Sequence, residues 1–229
     1  MKIMLVLFIF AALVNPPLAG GMLLGMILFL PFLIFFQSLQ TLLMVPLSLW
    51  QTFTDKQVRR NHALEHATAN VLESGFGATR VAGMAFRDGY KLAGDLPHPA
   101  FLIQAAQEAL RRLKNGETHL ALHPRCGTSM LIGQFFFSLV FVIFFVFAKA
   151  LTLFDLLAAF LFSAILAKPL GLLAQKYITT STDVEDLYFK NLSIDWTGQF
   201  YFQTGSRDLV SSFPSGRQWI LEPVVKYWR

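Results

Sequence analysis

Charge is what this chain has least of. Only 14% of its 229 residues are Asp, Glu, Lys or Arg, against about 25% in an average soluble domain. Residues 18–50 carry no charge, residues 129–148 form an uncharged run of twenty, and residues 150–167 hold Asp155 alone. A water-soluble core does not require such blocks, whereas a bilayer demands about 20 apolar residues for each spanning helix. Segments 22–45 and 129–148 reach that length, and 150–167 can extend past Lys168-Pro169. Cysteine is nearly absent. Cys126 alone excludes an intrachain disulfide and fits a reducing compartment. There is no internal repeat, no low-complexity tract, and no basic run longer than Arg59-Arg60 or Arg111-Arg112, so the net charge of +5 points to no nucleic-acid partner. Asp155 is the only ionisable residue within a span, which argues against a transporter, whose sites usually place such groups inside the membrane.

The apolar residues 3–14 are too short to span comfortably and end at Asn15-Pro16-Pro17. Two readings fit them. One is a signal peptide, with Lys2 as its positive start; the other is a retained helix forming a hairpin with the next segment. Pro17 makes Pro17-Leu18-Ala19 a poor cleavage site, which favours retention. The expected fold is a membrane protein of α-helical transmembrane hairpins with a small cytoplasmic α/β domain between them. The first hairpin covers 1–51, the domain 52–128, the second hairpin 129–176 and a cytoplasmic tail 177–229. Both polar parts follow a hairpin and so share a side. Segment 52–128 holds 10 Lys/Arg against 7 Asp/Glu and the chain after 168 holds 6 of each, a bias that puts that side in the cytoplasm.

Within 52–128, Thr54 and Asp55 are suitable caps for a helix over 54–74, stopped by Gly75 and Gly77. Residues 79–86 and 90–96 read as strands joined at Arg87-Asp88-Gly89. Pro97 and Pro99 open a second helix over 99–114, ending at Asn115-Gly116, and residues 117–122 read as a third strand. The alternation through Val81, Gly83 and Ala85 is imperfect. About 75 residues lie near the lower limit for an independent core, so support is expected from the membrane helices, the tail or a metal. In the tail, Leu187–Ile194 and Gln199–Gln203 read as strands, with turns at Thr197-Gly198 and Thr204-Gly205. The end, Val224–Arg229, suits packing on the domain or the membrane interface.

The first polar helix contains His62-Ala63-Leu64-Glu65-His66, an H-x-x-E-H string. Residues four apart share a helix face, so His62 and His66 can grip one metal ion. Glu65, beside them, can take a proton from a metal-bound water; the string inverts the zincin H-E-x-x-H and uses the same mechanics. Glu73 falls near the same azimuth, with Asn70 close by. Just before 129–148 lies His123-Pro124-Arg125-Cys126-Gly127-Thr128-Ser129. Imidazole and thiolate are natural zinc donors, so His123 and Cys126 are candidate ligands. Three protein ligands leave a position for water; four close the site. The bland alternatives are polar histidines on a surface helix and, for Cys126, a small buried apolar residue. His98, between two prolines, and His119, turned away from Leu120 and Leu122, read as structural.

The pairing of H-x-x-E-H with H-P-R-C-G-T-S before a membrane span resembles a family of uncharacterised bacterial membrane proteins described as predicted metal-dependent enzymes. Arg60-Asn61-His62-Ala63-Leu64-Glu65-His66-Ala67-Thr68 resembles a related uncharacterised membrane family, common in cyanobacteria and other bacteria. The likeness covers about residues 55–150 and implies His62, Glu65, His66, His123 and Cys126 as the site. It supplies no substrate.

The expected function is a zinc-dependent membrane hydrolase, protease-like, with zinc on His62 and His66, Cys126 or His123 as third ligand, and Glu65 as general base. Arg125 and Asn61 are the nearest oxyanion donors in sequence. The competing expectation is a non-catalytic accessory subunit or assembly factor of a membrane complex. The expected partners are the lipid bilayer and a membrane protein or a second copy. The expected location is a bacterial inner (plasma) or thylakoid-type membrane.

Overall fold

The computed structural model of the chain describes residues 16–147, 152–194 and 198–206. Segment 3–14, expected as a first helix or signal peptide, and the aromatic end 224–229 lie outside the described residues.

Helix α1, Pro16–Thr54, runs 39 residues, roughly 58 Å at 1.5 Å per residue. That is nearly twice a bilayer's hydrocarbon core, so it contains segment 22–45 and continues to the polar domain. Helices α4 (Gly127–Phe147) and α5 (Leu153–Ala174) form an antiparallel pair. A Cβ placed on Gly133 would meet Ala167 Cβ at 3.0 Å, and one on Gly171 would meet Ser129 Cα at 2.6 Å. Small residues at these crossings let the backbones approach, as in membrane helix pairs. Phe35 of α1 stacks on Phe145 of α4 with ring centroids 4.5 Å apart. All three helices are long and apolar enough to cross a membrane. As expected, α5 passes through Lys168-Pro169; it ends in a π-helical turn, Gln175–Thr179.

Between α1 and α4 sits the polar layer. Asp55 caps helix α2, Lys56–Gly75, by accepting from Gln57 N at 3.0 Å and Val58 N at 3.1 Å. This satisfies amides that the first turn would leave unpaired. Gly77, at φ 69, takes the left-handed conformation that turns the chain away. Strands β1 (Val81–Phe86) and β2 (Gly89–Gly94) form the expected hairpin, and helix α3 covers Pro99–Lys114.

Two expectations are corrected. Residues 117–122 are not a strand: Thr118–Ala121 is a 3-10 turn. The cause is Asn70, whose amide donates to Leu120 O at 2.9 Å and Leu122 O at 3.0 Å, occupying carbonyls a ladder would need. Thr204-Gly205 is not a turn but lies inside β4, Phe200–Ser206. Thr204 N–H donates to Asp88 O at 2.9 Å and its hydroxyl to Asn61 Oδ1 at 2.7 Å, which holds the strand extended there.

The sheet is completed by the tail. Strand β3 (Leu187–Ile194) and β4 pair antiparallel, β4 pairs with β2, and the order is β1-β2-β4-β3. Support for the small domain thus comes from residues more than a hundred positions downstream. Helices α2 and α3 cover the sheet through Leu64, Leu72, Leu102 and Ala109, against Tyr90, Leu92 and Phe202. Tyr90 stacks on Phe202 at 5.0 Å, and its hydroxyl meets Thr68 Oγ1 at 2.9 Å. Arg60, buried, pairs with Asp186 and donates to Asp183 O, tying α2 to the segment before β3.

Candidate metal centre

One turn of α2 sets the first two donors. The rings of His62 and His66 lie 4.3 Å apart between centroids. Each is clamped through Nδ1 by a carbonyl from elsewhere: His62 by Thr179 O at 2.9 Å and His66 by Ala121 O at 2.7 Å. A carbonyl oxygen only accepts, so each Nδ1 carries the hydrogen and each Nε2 presents a lone pair. This is the arrangement that metal-bound histidines adopt, with the remote nitrogen anchored so that the other faces the ion. Burial lowers the pKa of both rings and keeps them neutral, most strongly at His66, where His62 and His123 oppose a second charge.

Cys126 arrives from the loop before α4. Its Sγ lies 3.3 Å from His62 Nε2, and the donor atoms of His62, His66 and Cys126 all fall within 4.8 Å of one another. Zinc bonds of about 2.0–2.1 Å to nitrogen and 2.3 Å to sulfur put tetrahedral donors roughly 3.3–3.6 Å apart. The trio therefore needs only a small inward movement to close on such an ion. His66 Nε2 is buried and has no hydrogen-bond partner. Such a nitrogen costs on the order of 1–3 kcal/mol unless something takes its lone pair. Burial pushes the Cys126 thiol up, while the Thr128 N–H, 3.3 Å from Sγ, opposes that shift.

Glu65 stands beside the trio, Oε2 3.8 Å from His62 Nε2. Its carboxyl rests on β1, where a Cβ on Gly83 would fall 2.2 Å from Oε1 and 2.7 Å from Cγ. Burial pushes its pKa up to about 8.

The structure brings together His62, His66 and Cys126, with Glu65 at their side. His123 is not in that group. Its Nε2 faces Glu73 Oε2 at 3.4 Å, and its backbone N–H donates to Gln175 Oε1 at 2.9 Å. Glu73 also accepts from Arg125 Nη2 at 2.5 Å, and Arg125 Nη1 donates to Thr79 O at 2.9 Å. These contacts hold the loop that delivers Cys126. They also commit the Arg125 guanidinium to Glu73 and Thr79. Asn61 is equally committed: its amide donates to Phe86 O at 2.8 Å and Arg87 O at 3.2 Å. His98 caps α3 through Nδ1 and His119 is exposed on the 3-10 turn; neither is among the grouped donors. The carbonyls of Thr179 and Ala121 and the gap at Gly83 were not anticipated. Only Gly83 left a trace in the sequence, as the break in the strand's alternation.

Fold and cluster together define a class: a largely helical protein with, among the described residues, three helices able to cross a membrane and a small antiparallel sheet beside a His-His-Cys donor group. Within that class the chain belongs to the family of the Domain of unknown function (DUF6391), whose pattern matches residues 57–192 and so takes in the whole cluster. An uncharacterized protein of Picosynechococcus sp. (strain ATCC 27264 / PCC 7002 / PR-6) is 34% identical over 84 residues, covering 33% of this chain and 40% of that protein. The chain therefore matches less than half of that relative's length. No solved structure matches it.

Proposed function

We propose that the protein is a zinc-dependent hydrolase of a bacterial membrane, with its polar layer on the cytoplasmic side. The observation that carries the reading is the unpartnered Nε2 of His66, which faces His62 and Cys126 with both Nδ1 atoms already anchored. A site of two nitrogens and one sulfur suits zinc and leaves a coordination position open. Zinc, when bound, supplies Lewis acidity and a water acidified toward neutrality. Glu65 would hold the proton taken from an attacking water and pass it to the departing group. A nearby divalent cation favours the ionised carboxylate, offsetting the burial that raises the Glu65 pKa.

The competing role, a non-catalytic subunit with a closed metal site, draws on one feature. Glu65 is only 6% exposed and near enough to His62 to serve as a fourth ligand. Metal analysis of the purified full chain separates the two. His66→Ala should lose the metal in either case. Glu65→Gln should retain it and abolish hydrolysis if Glu65 is the base; loss of the metal with Glu65→Gln would instead make the site structural.

A further inference from the structure

We propose that the outer edge of β1 receives an extended polypeptide segment as an added strand, which makes polypeptide the substrate class of the site. The proposal deepens the hydrolase reading and rests on it for the cleavage step alone.

Strand β1 is the end of the sheet, and among the described residues no strand pairs with its outer side. The phase of its hydrogen bonds follows from the far side of β2. Thr204 N–H donates to Asp88 O, and the β2–β4 register runs Tyr90↔Phe202 and Leu92↔Phe200. Alternation of antiparallel bonding then turns Gly89, Lys91 and Ala93 toward Phe86, Met84 and Ala82. Val81, Gly83 and Ala85 are left with N–H and C=O directed outward. Before the open stretch, Arg125 holds Thr79 O.

Two features separate this edge from an incidental one. Exposed edges are commonly blunted by Lys, Pro or a bulge, because a bare row of amides recruits other chains. Residues 81–86 read Val-Ala-Gly-Met-Ala-Phe, with no charge, no proline and no bulge against β2, and Met84 is 62% exposed. The Glu65 carboxyl meets β1 at Gly83, the middle of the open stretch. A segment added about 4.8 Å from β1 would take its hydrogen bonds from the backbone beside the proposed general base. Backbone pairing of this kind binds main chain irrespective of most side chains. Its alternating donors and acceptors at strand spacing match the main chain of an extended polypeptide.

The test uses zinc-loaded full-length protein in lipid nanodiscs, with Glu65→Gln to prevent turnover and fluorescein-labelled β-casein as the unstructured probe. Casein should slow hydrogen exchange at the amides of Val81, Gly83 and Ala85. Ala85→Pro, which removes one outward N–H, should weaken casein binding about tenfold or more. Unchanged exchange at those amides overturns the proposal even if the proline variant fails to fold. Undiminished binding by a folded Ala85→Pro protein overturns it too. Protection that rises with protein concentration and needs no casein would assign the edge to a second copy of the chain, and also overturns it. Protection by casein that zinc-loaded wild-type protein leaves uncut would retire the hydrolytic reading and keep the strand. Cleavage without protection would do the reverse.

Discussion

Gly83→Ala is the sharpest test of how Glu65 is seated. The added methyl would stand 2.2 Å from Oε1, 2.6 Å from Cδ and 2.7 Å from Cγ. Ordinary contact begins near 3.4 Å, so the carboxyl must retreat by about 1.2 Å, and contact with Cγ means that the whole side chain swings rather than its tip. Misplacing a catalytic group by about 1 Å costs on the order of a hundredfold in rate. The metal should be untouched, because His62, His66 and Cys126 take their positions from Thr179, Ala121 and the Cys126 loop and not from β1. Stability should change little, since the displaced group is a carboxyl whose burial is unfavourable in its charged form. The assay is hydrolysis of labelled casein by nanodisc-embedded protein, alongside zinc content and a chelator-competition affinity. A roughly hundredfold fall in turnover with zinc affinity within about threefold of wild type is expected. Turnover within a few-fold of wild type would show that Glu65 needs no seat on Gly83, and would remove it as a positioned base.

Glu65 should also make metal-free protein pH-sensitive. Its folded pKa of about 8 lies above its ordinary value of 4.5, so its burial costs nothing below about pH 4 and the cost grows as pH rises through the folded value. Glu65→Gln should therefore stabilise chelator-treated protein by an amount near zero at about pH 4 and on the order of 4 kcal/mol above about pH 8; equal effects on the thermal midpoint at both pH values would refute this. Glu73→Gln, which weakens the contacts to Arg125 and His123, should lower zinc affinity roughly fivefold, the equivalent of about 1 kcal/mol for a partly exposed pair, without changing stoichiometry; an unchanged affinity would show that the Cys126 loop needs no such latch. Reporters inserted after Gly94 and fused at Arg229 should report the same face, because β2 and β4 pair in one sheet, and the cytoplasm under the proposed topology; opposite faces would contradict the shared side, and two non-cytoplasmic signals the topology.

What the sequence revealed and what it hid divide along local and long-range lines. The charge-free blocks, the Asp55 cap and the four-residue spacing of His62 and His66 are local signals, and each has its structural counterpart. The approach of Cys126 was inferable only because both motifs adjoin long apolar segments. The misreadings have non-local causes. Residues 117–122 have a strand's composition, but Asn70, some fifty positions earlier, captures their carbonyls. His123, as good a donor as Cys126 by residue type, stands just outside the grouped trio, with its ring 5.9 Å from that of His66. The carbonyl of Thr179 could not be foreseen, because any residue supplies one. The flawed alternation at Gly83 was legible but ambiguous: a missing side chain marks a weak strand and a space filled by a neighbour alike.

The anchor on His62 has a further consequence, for timing. Thr179 lies 117 residues downstream of the histidine it holds, at the far end of the last apolar helix. During synthesis His62, His66 and Cys126 are all made long before that carbonyl exists, and β4 follows later still. The centre in its anchored form therefore cannot exist on a nascent chain that stops short of Thr179. Under the proposed hydrolytic reading, activity would therefore wait until the chain has been made through Thr179.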